Sequence, residues 1–300
     1  VRWLGPELAA EGQTALPFLL KVLAIGEPLS LQAHPSADEA RAGFAREEAA
    51  GVPIDAPERT YRDPNPKPES LVALVETWTL CGFRTPTEAG ALVDAMGLGE
   101  LAPLNDALRR SGPQGLHDGL AWILGLAGEE RAVVARAVAA AATTIAGSLP
   151  HSWVSRLAAQ HPGDPSCLAP LLLHVVRLDP GDALHLPAGN LHAYLGGAGV
   201  EVMAASDNVL RGGLTPKHID VPELLSVLRF EPGVPARPVR AAAGAGVTTY
   251  DCREASFGLA LVEPDLGPVV IDPTGPSLLL ATGGWIDLAG ARCGLTLDHG

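Results

Sequence analysis

Three side chains of this 300-residue chain have the types and the spacing of metal ligands. Gln32 and His34 are separated by one residue in "SLQAHP", and His192 ends the tight-turn sequence "PAGNLH". Imidazole nitrogens and side-chain oxygens are donors that bind Zn²⁺ and related ions. An ion held in this way, with one coordination position open, polarises an oxygen of a substrate. The three residues are therefore candidate ligands of a metal site.

The first pair lies in a segment that alternates apolar and polar residues. Ser30, Gln32 and His34 occupy every second position of residues 29–34, and the positions between them are Leu or Ala. Residues two apart in a β-strand project to the same face. The alternation predicts a half-buried strand whose polar face lies either in water or inside the protein, where polar groups are costly unless they bind something.

The fourth ligand has two candidates. Glu39 follows His34 by five residues, but "ADEARAGFAREEAAG" is typical of the start of a solvated helix, where acidic residues need no further role. Glu69 lies in "DPNPKPES", a loop with three prolines. Because proline stiffness reduces the entropy lost in holding a ligand, Glu69 is the preferred candidate.

Two spacing motifs contain these candidates. The first is Gly26, five residues, Gln32, one residue, His34, and the second is Gly181, five residues, Pro187, one residue, Gly189, two residues, His192. Both resemble the paired motifs of the cupin superfamily, small jelly-roll barrels that hold a metal ion in the lumen. Gln32 stands where cupins usually have His, and Gly196 stands at the trailing Asn position. His174, His185 and His218 lie outside both motifs and are interpreted as structural.

The composition limits the class of protein. The formal net charge is −13 with no basic run, which argues against nucleic acid or an anionic membrane as partner. One or two local Lys or Arg residues still suffice to bind a phosphorylated metabolite. The four cysteines lie far apart without a C-x-x-C pair, which is typical of reduced thiols in a cytoplasmic protein. The most apolar stretch is Ala-rich and contains Arg136, which favours a helix over a membrane span.

The elements that must position the ligands change along the chain. Residues 18–81 have strand-like or loop-like patterns, beginning with "FLLKVLAI". Thr85-Pro86-Thr87-Glu88 is a capping box, and further helices are predicted around 114–126, 129–146 and 152–160. Strands return at "LLLHVVRL", followed by "DALHLP", "GVEVMAA", "FGLALVE", "SLLLAT" and "WIDLAG". Short apolar runs broken by Gly and Pro predict an antiparallel sandwich or barrel.

This order predicts a mainly β fold with an α insert. We expect a catalytic cupin-type jelly-roll barrel from residues 1–85 and 167–232, a helical insert over 86–166, and a second cupin-like barrel over 233–300. The helices should pack beside the barrel and not within it. Neither Val1 nor Gly300 has the pattern of a natural terminus, so we expect the first barrel to lack its amino-terminal part and the second to be truncated.

Five segments narrow the resemblance to one family. "SLQAHP", "YRDPNPKPE", "CGFR", "PAGNLHAY" and "SDNVLRGGLTPKHID" are similar, in this order, to segments of type I mannose-6-phosphate isomerases. The resemblance implies one Zn²⁺ ion per chain, held by Gln32, His34, Glu69 and His192. It also implies a zinc-dependent aldose–ketose isomerase that interconverts mannose 6-phosphate and fructose 6-phosphate through a cis-enediol.

The same resemblance assigns residues around the substrate. Ser30 and Lys67 match positions proposed to hold the sugar phosphate, and the other matches are Tyr194, Glu201, Asp207, Arg211 and Lys217. Pro66 stands where the family commonly has a His linked to opening of the sugar ring, so that step has no obvious agent here.

Three residues are candidates for the chemical step. Arg211 remains charged at ordinary pH, which favours clamping of the developing enediolate over proton abstraction. Lys67 or Glu201 would serve as the base if burial brings its pKa towards neutrality. The implied partner is a small phosphorylated sugar, and the implied protein is a monomeric, cytoplasmic enzyme of carbohydrate metabolism that serves GDP-mannose biosynthesis.

Two other classes of function remain open from the residues alone. A cupin oxygenase would hold iron through two His and one carboxylate, but Gln32 as an extra neutral ligand and Lys67 beside Glu69 count against it. A non-enzymatic sugar-binding cupin fits the carboxyl-terminal strands, where no His precedes His299. The set of four ligands in the first barrel argues against that function for the whole chain.

Overall fold

The computed structural model describes residues 15–110, 112–141, 148–235, 237–244, 246–252, 256–264, 267–271, 275–289 and 294–298. The fold is mainly β with inserted helices, as predicted. Pro17–Glu263 form one compact unit, and the described residues from Pro264 onwards belong to a second. Among the described helices, none combines the length and the apolar character needed to cross a membrane.

Eight strands of the first unit form one antiparallel barrel of the jelly-roll type. They are β1 (Phe18–Ile25), β2 (Leu31–Ala33), β3 (Glu69–Ala73), β4 (Thr77–Phe83), β5 (Leu173–Leu178), β6 (Ala183–Leu186), β7 (His192–Ala204) and β8 (Leu210–Gly213). The hydrogen-bonded order on one side is β5-β4-β7-β2-β8. On the other side β1 and β3 pair with β7, and β6 pairs with β3.

Strand β7 joins the two sides of this barrel. Its first residues pair with β2 and β4, and its last residues pair with β1 and β3. The change of partners falls in the sequence "LGGAGV", where Gly197 has φ +111°. A Cβ atom on Gly197 would lie 2.5 Å from the backbone oxygen of Glu76, so this position requires glycine.

The two faces of β2 have different surroundings. Leu31 and Ala33 are fully buried in the main hydrophobic cluster, which they share with residues of the helices. Gln32 and His34 project to the opposite face, towards the lumen of the barrel. The alternation in the sequence thus produces an apolar back and a polar front.

Eight helices occur in the described residues. They are α1 (Ala37–Ala49), α2 (Pro86–Ala95), α3 (Ala102–Leu108), α4 (Pro113–Gly125), α5 (Gly128–Ala141), α6 (Leu149–Gln160), α7 (Ala169–Leu172) and α8 (Val221–Val227). Short 3₁₀ helices occupy Gly99–Leu101 and Pro165–Leu168. Six of the eight helices therefore lie between β4 and β5, where the sequence predicts the helical insert.

The helical predictions are confirmed with local differences. Helix α2 begins with the predicted capping box, because the Thr85 hydroxyl accepts a hydrogen bond from the Glu88 backbone N–H. The Ala-rich stretch is helical from Gly128 to Ala141, and its predicted continuation to residue 146 lies outside the described residues. Helix α3 was not predicted, and α6 begins at Leu149 because Pro150 fits its first turn.

The carboxyl-terminal strands form two small sheets. Strands β9 (Arg240–Gly244), β10 (Val247–Tyr250) and β11 (Leu259–Val262) belong to the first unit, and β12 (Trp285–Ala289) pairs with β13 (Gly294–Asp298) in the second. The predicted strand "SLLLAT" is wrong, because residues 277–282 have no strand structure. An apolar run cannot by itself provide the pairing partner that a strand needs. The second barrel over 233–300 and the proposed domain boundaries stay predictions.

Candidate metal centre

Four predicted ligands converge inside the barrel. Nε2 of His34 lies 3.1 Å from Oε1 of Glu69, and Nε2 of His192 lies 3.5 Å from Oε2 of the same carboxylate. The side-chain nitrogen of Gln32 lies 3.4 Å from His192 Nε2. One potential ligand atom from each His and from Glu69 lies within 4.8 Å of the others, and all three residues are buried.

Strand pairing and one tight turn bring these groups together. Gln32 lies directly opposite His192 across the β2–β7 pair, and Glu69 is the first residue of β3, immediately after the proline-rich loop. In the turn before β7, the Asn190 N–H donates to the carbonyl of Pro187. The Gly189 N–H donates to the carbonyl of His34 at 2.8 Å, which ties this turn to the end of β2.

Backbone carbonyl groups orient both imidazole rings. His34 Nδ1 donates to the Asn208 carbonyl at 2.7 Å, and His192 Nδ1 donates to the Asn190 carbonyl at 3.1 Å. A neutral imidazole carries one N–H, so each Nε2 is then an acceptor that points at Glu69. Burial lowers the pKa of His34, which keeps this ring neutral.

Acceptor atoms therefore face one another at the centre. Nε2 of His34 and Oε2 of Glu69 are buried and have no hydrogen-bond partner among the described residues. Buried acceptors without a donor are costly, and a cation between them would remove that cost. Two neutral imidazoles, one carboxylate and one amide are a donor set that fits a divalent metal ion.

Lys67 lies on the other side of the Glu69 carboxylate. Its Nζ atom is 3.0 Å from Oε1 of Glu69, and the residue is only 7% exposed. The resemblance assigns Lys67 to the sugar phosphate, and Lys67 is also one of two candidates for the base. Its position beside the Glu69 carboxylate, a predicted ligand, means that Lys67 would also act electrostatically on an ion bound there.

Tyr194 and Glu201 lie farther along β7 and are buried. Burial, and then the negative charge of Glu69, raises the pKa of Glu201 to about 7. Burial, and then the negative charge of Glu201, raises the pKa of the Tyr194 hydroxyl. A carboxyl group that titrates near neutrality has the property needed to accept and return a proton.

Arg211 is positioned by β8. It lies directly opposite Gln32 across the β2–β8 pair, and it lines a small cavity with Arg59, Thr60 and His218. Burial, and then the positive charge of Arg62, lowers the pKa of Arg211. The register thus brings the guanidinium-bearing residue next to a predicted ligand.

Three other predicted substrate residues lie outside the buried cluster. Ser30 is half-buried just before β2, and Asp207 and Lys217 are exposed. The Asp207 N–H donates to the Asp63 carboxylate at 2.8 Å, but this bond involves only its backbone. Their roles towards a substrate stay predictions.

Glu39 has the structural role indicated by the helix pattern. Its carboxylate accepts the Ser36 N–H at 2.7 Å, and its own N–H donates to the Ser36 hydroxyl, which forms the capping box of α1. This geometry explains its acidic side chain without a metal. Among the histidines interpreted as structural, His185 contacts the Ser70 hydroxyl at 3.0 Å.

Lys21 was not identified from the sequence. It lies directly opposite Glu201 across the β1–β7 pair, and cross-strand partners project to the same face of a sheet. A single Lys within the apolar run "FLLKVLAI" belongs to no motif. Only the strand register places its charge beside Glu201.

Comparisons with known proteins agree with this geometry. The family profile "Phosphomannose isomerase type I, catalytic domain" matches residues 2–86. The chain is 42% identical to the mannose-6-phosphate isomerase of Salmonella typhimurium over 217 residues, which are 72% of this chain and 55% of that protein. It is 35% identical to the human mannose-6-phosphate isomerase over 245 residues, which are 76% of this chain and 56% of that protein. The chain thus spans a little over half the length of these curated relatives.

Solved structures show the same similarity. A zinc-bound crystal structure of mannose 6-phosphate isomerase matches 99% of this chain and 75% of its own, with 35% identity and a TM-score of 0.89. A crystal structure of the Salmonella typhimurium enzyme bound to fructose 6-phosphate and zinc gives the same values. It is 35% identical, matches 99% of this chain and 75% of its own, and has a TM-score of 0.89. Fold, ligand cluster and relatives agree, and the chain belongs to the type I phosphomannose isomerase family.

Proposed function

We propose that this chain carries the active site of a zinc-dependent aldose–ketose isomerase that interconverts mannose 6-phosphate and fructose 6-phosphate. The observation that carries the proposal is the cluster of the buried residues His34, Glu69 and His192 beside half-buried Gln32. In this cluster His34 Nε2 and Glu69 Oε2 are buried acceptors without a hydrogen-bond donor in the described part of the chain. The relatives named above carry the mannose-6-phosphate isomerase activity in their names. Zinc, bound by these four residues, would act as a Lewis acid towards an oxygen of the sugar.

The reaction moves one proton between C1 and C2 of the open-chain sugar through a cis-enediol. Glu201 is a candidate for the group that takes this proton from one carbon and returns it to the other, because its pKa is raised to about 7. Lys67, which is also buried, is the alternative base. Arg211 would stabilise the negative charge that develops on the sugar oxygens.

The remaining assigned residues would bind and orient the substrate. Ser30 and Lys67 are proposed to hold the phosphate, and Tyr194, Asp207 and Lys217 to contact the sugar. Pro66 cannot donate or accept a proton, so opening of the sugar ring requires another group or occurs in solution. The expectation of a monomeric, cytoplasmic enzyme also stays a prediction.

The test is metal analysis combined with an activity assay. The purified chain should contain about one zinc per molecule, and it should form fructose 6-phosphate from mannose 6-phosphate. Chelation should abolish both properties, and added Zn²⁺ should restore them. Iron in place of zinc would favour the oxygenase interpretation, and sugar binding without turnover would favour a non-enzymatic cupin.

A further inference from the structure

A buried residue outside the proposed site joins the two loops behind the metal centre. Asn208 is 0% exposed and lies in the segment between β7 and β8. Its backbone carbonyl accepts the Nδ1–H of His34 at 2.7 Å. This bond fixes which imidazole nitrogen points towards Glu69, and such outer contacts are known to tune metal affinity.

The Asn208 side chain binds the loop that leads to Glu69. Its Oδ1 atom accepts the backbone N–H groups of Arg62 at 2.7 Å and Asp63 at 3.3 Å. Its Nδ2 atom donates to the carbonyls of Asp63 at 2.7 Å and Asn65 at 2.9 Å. Both donors and both acceptor positions of the amide are therefore used on residues 62–65.

Asp63 makes the reciprocal contacts. Its Oδ2 atom accepts the Asp207 N–H at 2.8 Å and the Ser206 hydroxyl at 3.1 Å. Each loop thus uses a side chain to satisfy backbone or hydroxyl groups of the other. Removal of one side chain would take the present hydrogen-bond partners from several backbone groups of the opposite loop.

The loop of residues 62–65, which the Asn208 side chain binds, leads directly to Lys67 and Glu69. Residues 64, 66 and 68 are proline, and Lys67 and Glu69 lie between and after them. Proline fixes the φ angle of each such residue, which limits how the segment between Asn65 and Glu69 can absorb a displacement. Asn208 therefore contacts one predicted ligand, His34, through its carbonyl, and through its side chain it binds the loop that leads to another, Glu69.

We propose that Asn208 is a positioning residue of the metal centre, which sets the placement of Glu69 relative to His34 and thereby the affinity for Zn²⁺. This inference rests on the metal site of the proposed function. It assigns no contact between Asn208 and the ion or the substrate.

The test compares Zn²⁺ affinity, measured by competition with a chromophoric chelator, in the parent chain and in Asn208→Ala. The visible absorption of the Co²⁺-loaded chain reports ligand geometry independently of activity. Asn208→Ala should raise the dissociation constant for Zn²⁺ by about 10–100-fold and change the Co²⁺ spectrum. Asn208→Asp keeps the size of the side chain but places a carboxylate oxygen against the carbonyls of Asp63 and Asn65. Its Zn²⁺ affinity should therefore fall at least as much as that of Asn208→Ala.

Two controls separate positioning from general stability. Asn105→Ala removes an amide bonded to Asp94 in the helices, and Leu157→Ala removes a fully buried side chain there. Leu157→Ala should lower the unfolding temperature. Both controls should keep the Zn²⁺ dissociation constant within about twofold of the parent value, because substitutions far from a site affect it little.

The outcomes are distinguishable. If the parent chain binds no Zn²⁺, the proposed function fails and this inference fails with it. If the parent binds Zn²⁺ and folded Asn208 variants bind it equally well with an unchanged Co²⁺ spectrum, only the inference is overturned. The same holds if Leu157→Ala weakens Zn²⁺ binding as much. Should Asn208→Ala not fold, Asn208→Ser and Asp63→Asn decide by the same criteria.

Discussion

Gln32 and Arg211 lie directly opposite each other on β2 and β8, and on its other side Gln32 faces His192 of β7. One residue of a short strand is therefore the link between a predicted ligand and the predicted enediolate clamp. Because cross-strand partners share a face, a shift of β2 by one residue would disrupt both relationships together.

Glu69→Gln should weaken zinc binding while keeping the shape of the side chain. Glu69 is the one carboxylate of the cluster, and its loss leaves the ion with neutral ligands only. We expect the zinc dissociation constant to rise at least about 100-fold, the upper end of the loss found for outer contacts. Glu39→Gln is the matched control, since Gln also completes a capping box. Equal losses in the two variants would contradict the assignment of Glu69.

Arg211→Ala should reduce turnover and leave the metal in place. If Arg211 stabilises charge that develops only in the transition state, kcat should fall about 10²–10³-fold with little change in KM or zinc content. Arg109→Ala, which removes an exposed ion pair with Asp106, should leave kcat unchanged. Near-normal turnover in Arg211→Ala, or loss of zinc with activity, would show that the role is wrong.

The stability of the metal-free chain should depend on pH through Glu201. Its pKa rises from 4.5 to about 7 on folding, so between these values the folded chain binds more protons than the unfolded chain. The free energy of unfolding from this group therefore falls as pH rises from 4.5 to 7, by about 3 kcal/mol at most. Urea unfolding of the parent and of Glu201→Gln at several pH values measures it. The difference in free energy of unfolding between the parent and Glu201→Gln should change between pH 4.5 and 7 and stay constant above pH 7.

Gly197→Ala should be strongly destabilising. The φ angle of +111° is unfavourable for alanine, and the added Cβ would lie 2.5 Å from the Glu76 oxygen. We expect the free energy of unfolding to fall by at least about 2 kcal/mol. Gly26→Ala is the control, because a Cβ there meets nothing within 4 Å. A similarly small loss of stability at both positions would show that the position of Gly197 does not require glycine.

Asp164→Ala should loosen the connection between the helices and β8. The Asp164 carboxylate accepts hydrogen bonds from the Ser166 N–H, the Ser166 hydroxyl and the Leu214 N–H, all between 2.6 and 2.9 Å. Loss of this acceptor should lower the free energy of unfolding by about 1–3 kcal/mol. Asp106→Ala, in an exposed ion pair, should cost less than about 0.5 kcal/mol in the same urea titration. Equal costs would refute a special role for Asp164.

Local sequence patterns predicted the elements whose signals are complete within a few residues. The run 18–25 is a strand, the segment "ADEARAGFAREEAAG" begins a helix, and the capping box at Thr85 begins another. The prediction failed at "SLLLAT", where three leucines suggest a strand but lie partly exposed. Strand formation depends on a partner that the segment itself does not contain.

The residues of the candidate site could be predicted where they belong to a sequence motif. They could not be predicted where only strand register or a long-range contact places them. Gln32, His34 and His192 lie in recognisable spacings, whereas Lys21 faces Glu201 only because β1 pairs with β7. Asn208 contacts residues more than 140 positions away in the chain, and no spacing rule reaches so far. Its neighbours "SDNVL" give no sign of which atoms it will bind.

The apolar faces of β2, β4, β7 and β8 limit how this fold can be remodelled. Leu31, Leu80, Ala193 and Leu210 lie in the same hydrophobic cluster as side chains of the inserted helices. A shorter chain without those helices would present an apolar wall to water directly behind the metal centre. The helices therefore cannot be deleted without exposing the apolar faces of these strands. Change can accumulate freely on the outer helix faces, but a minimal barrel would first need a new apolar cover.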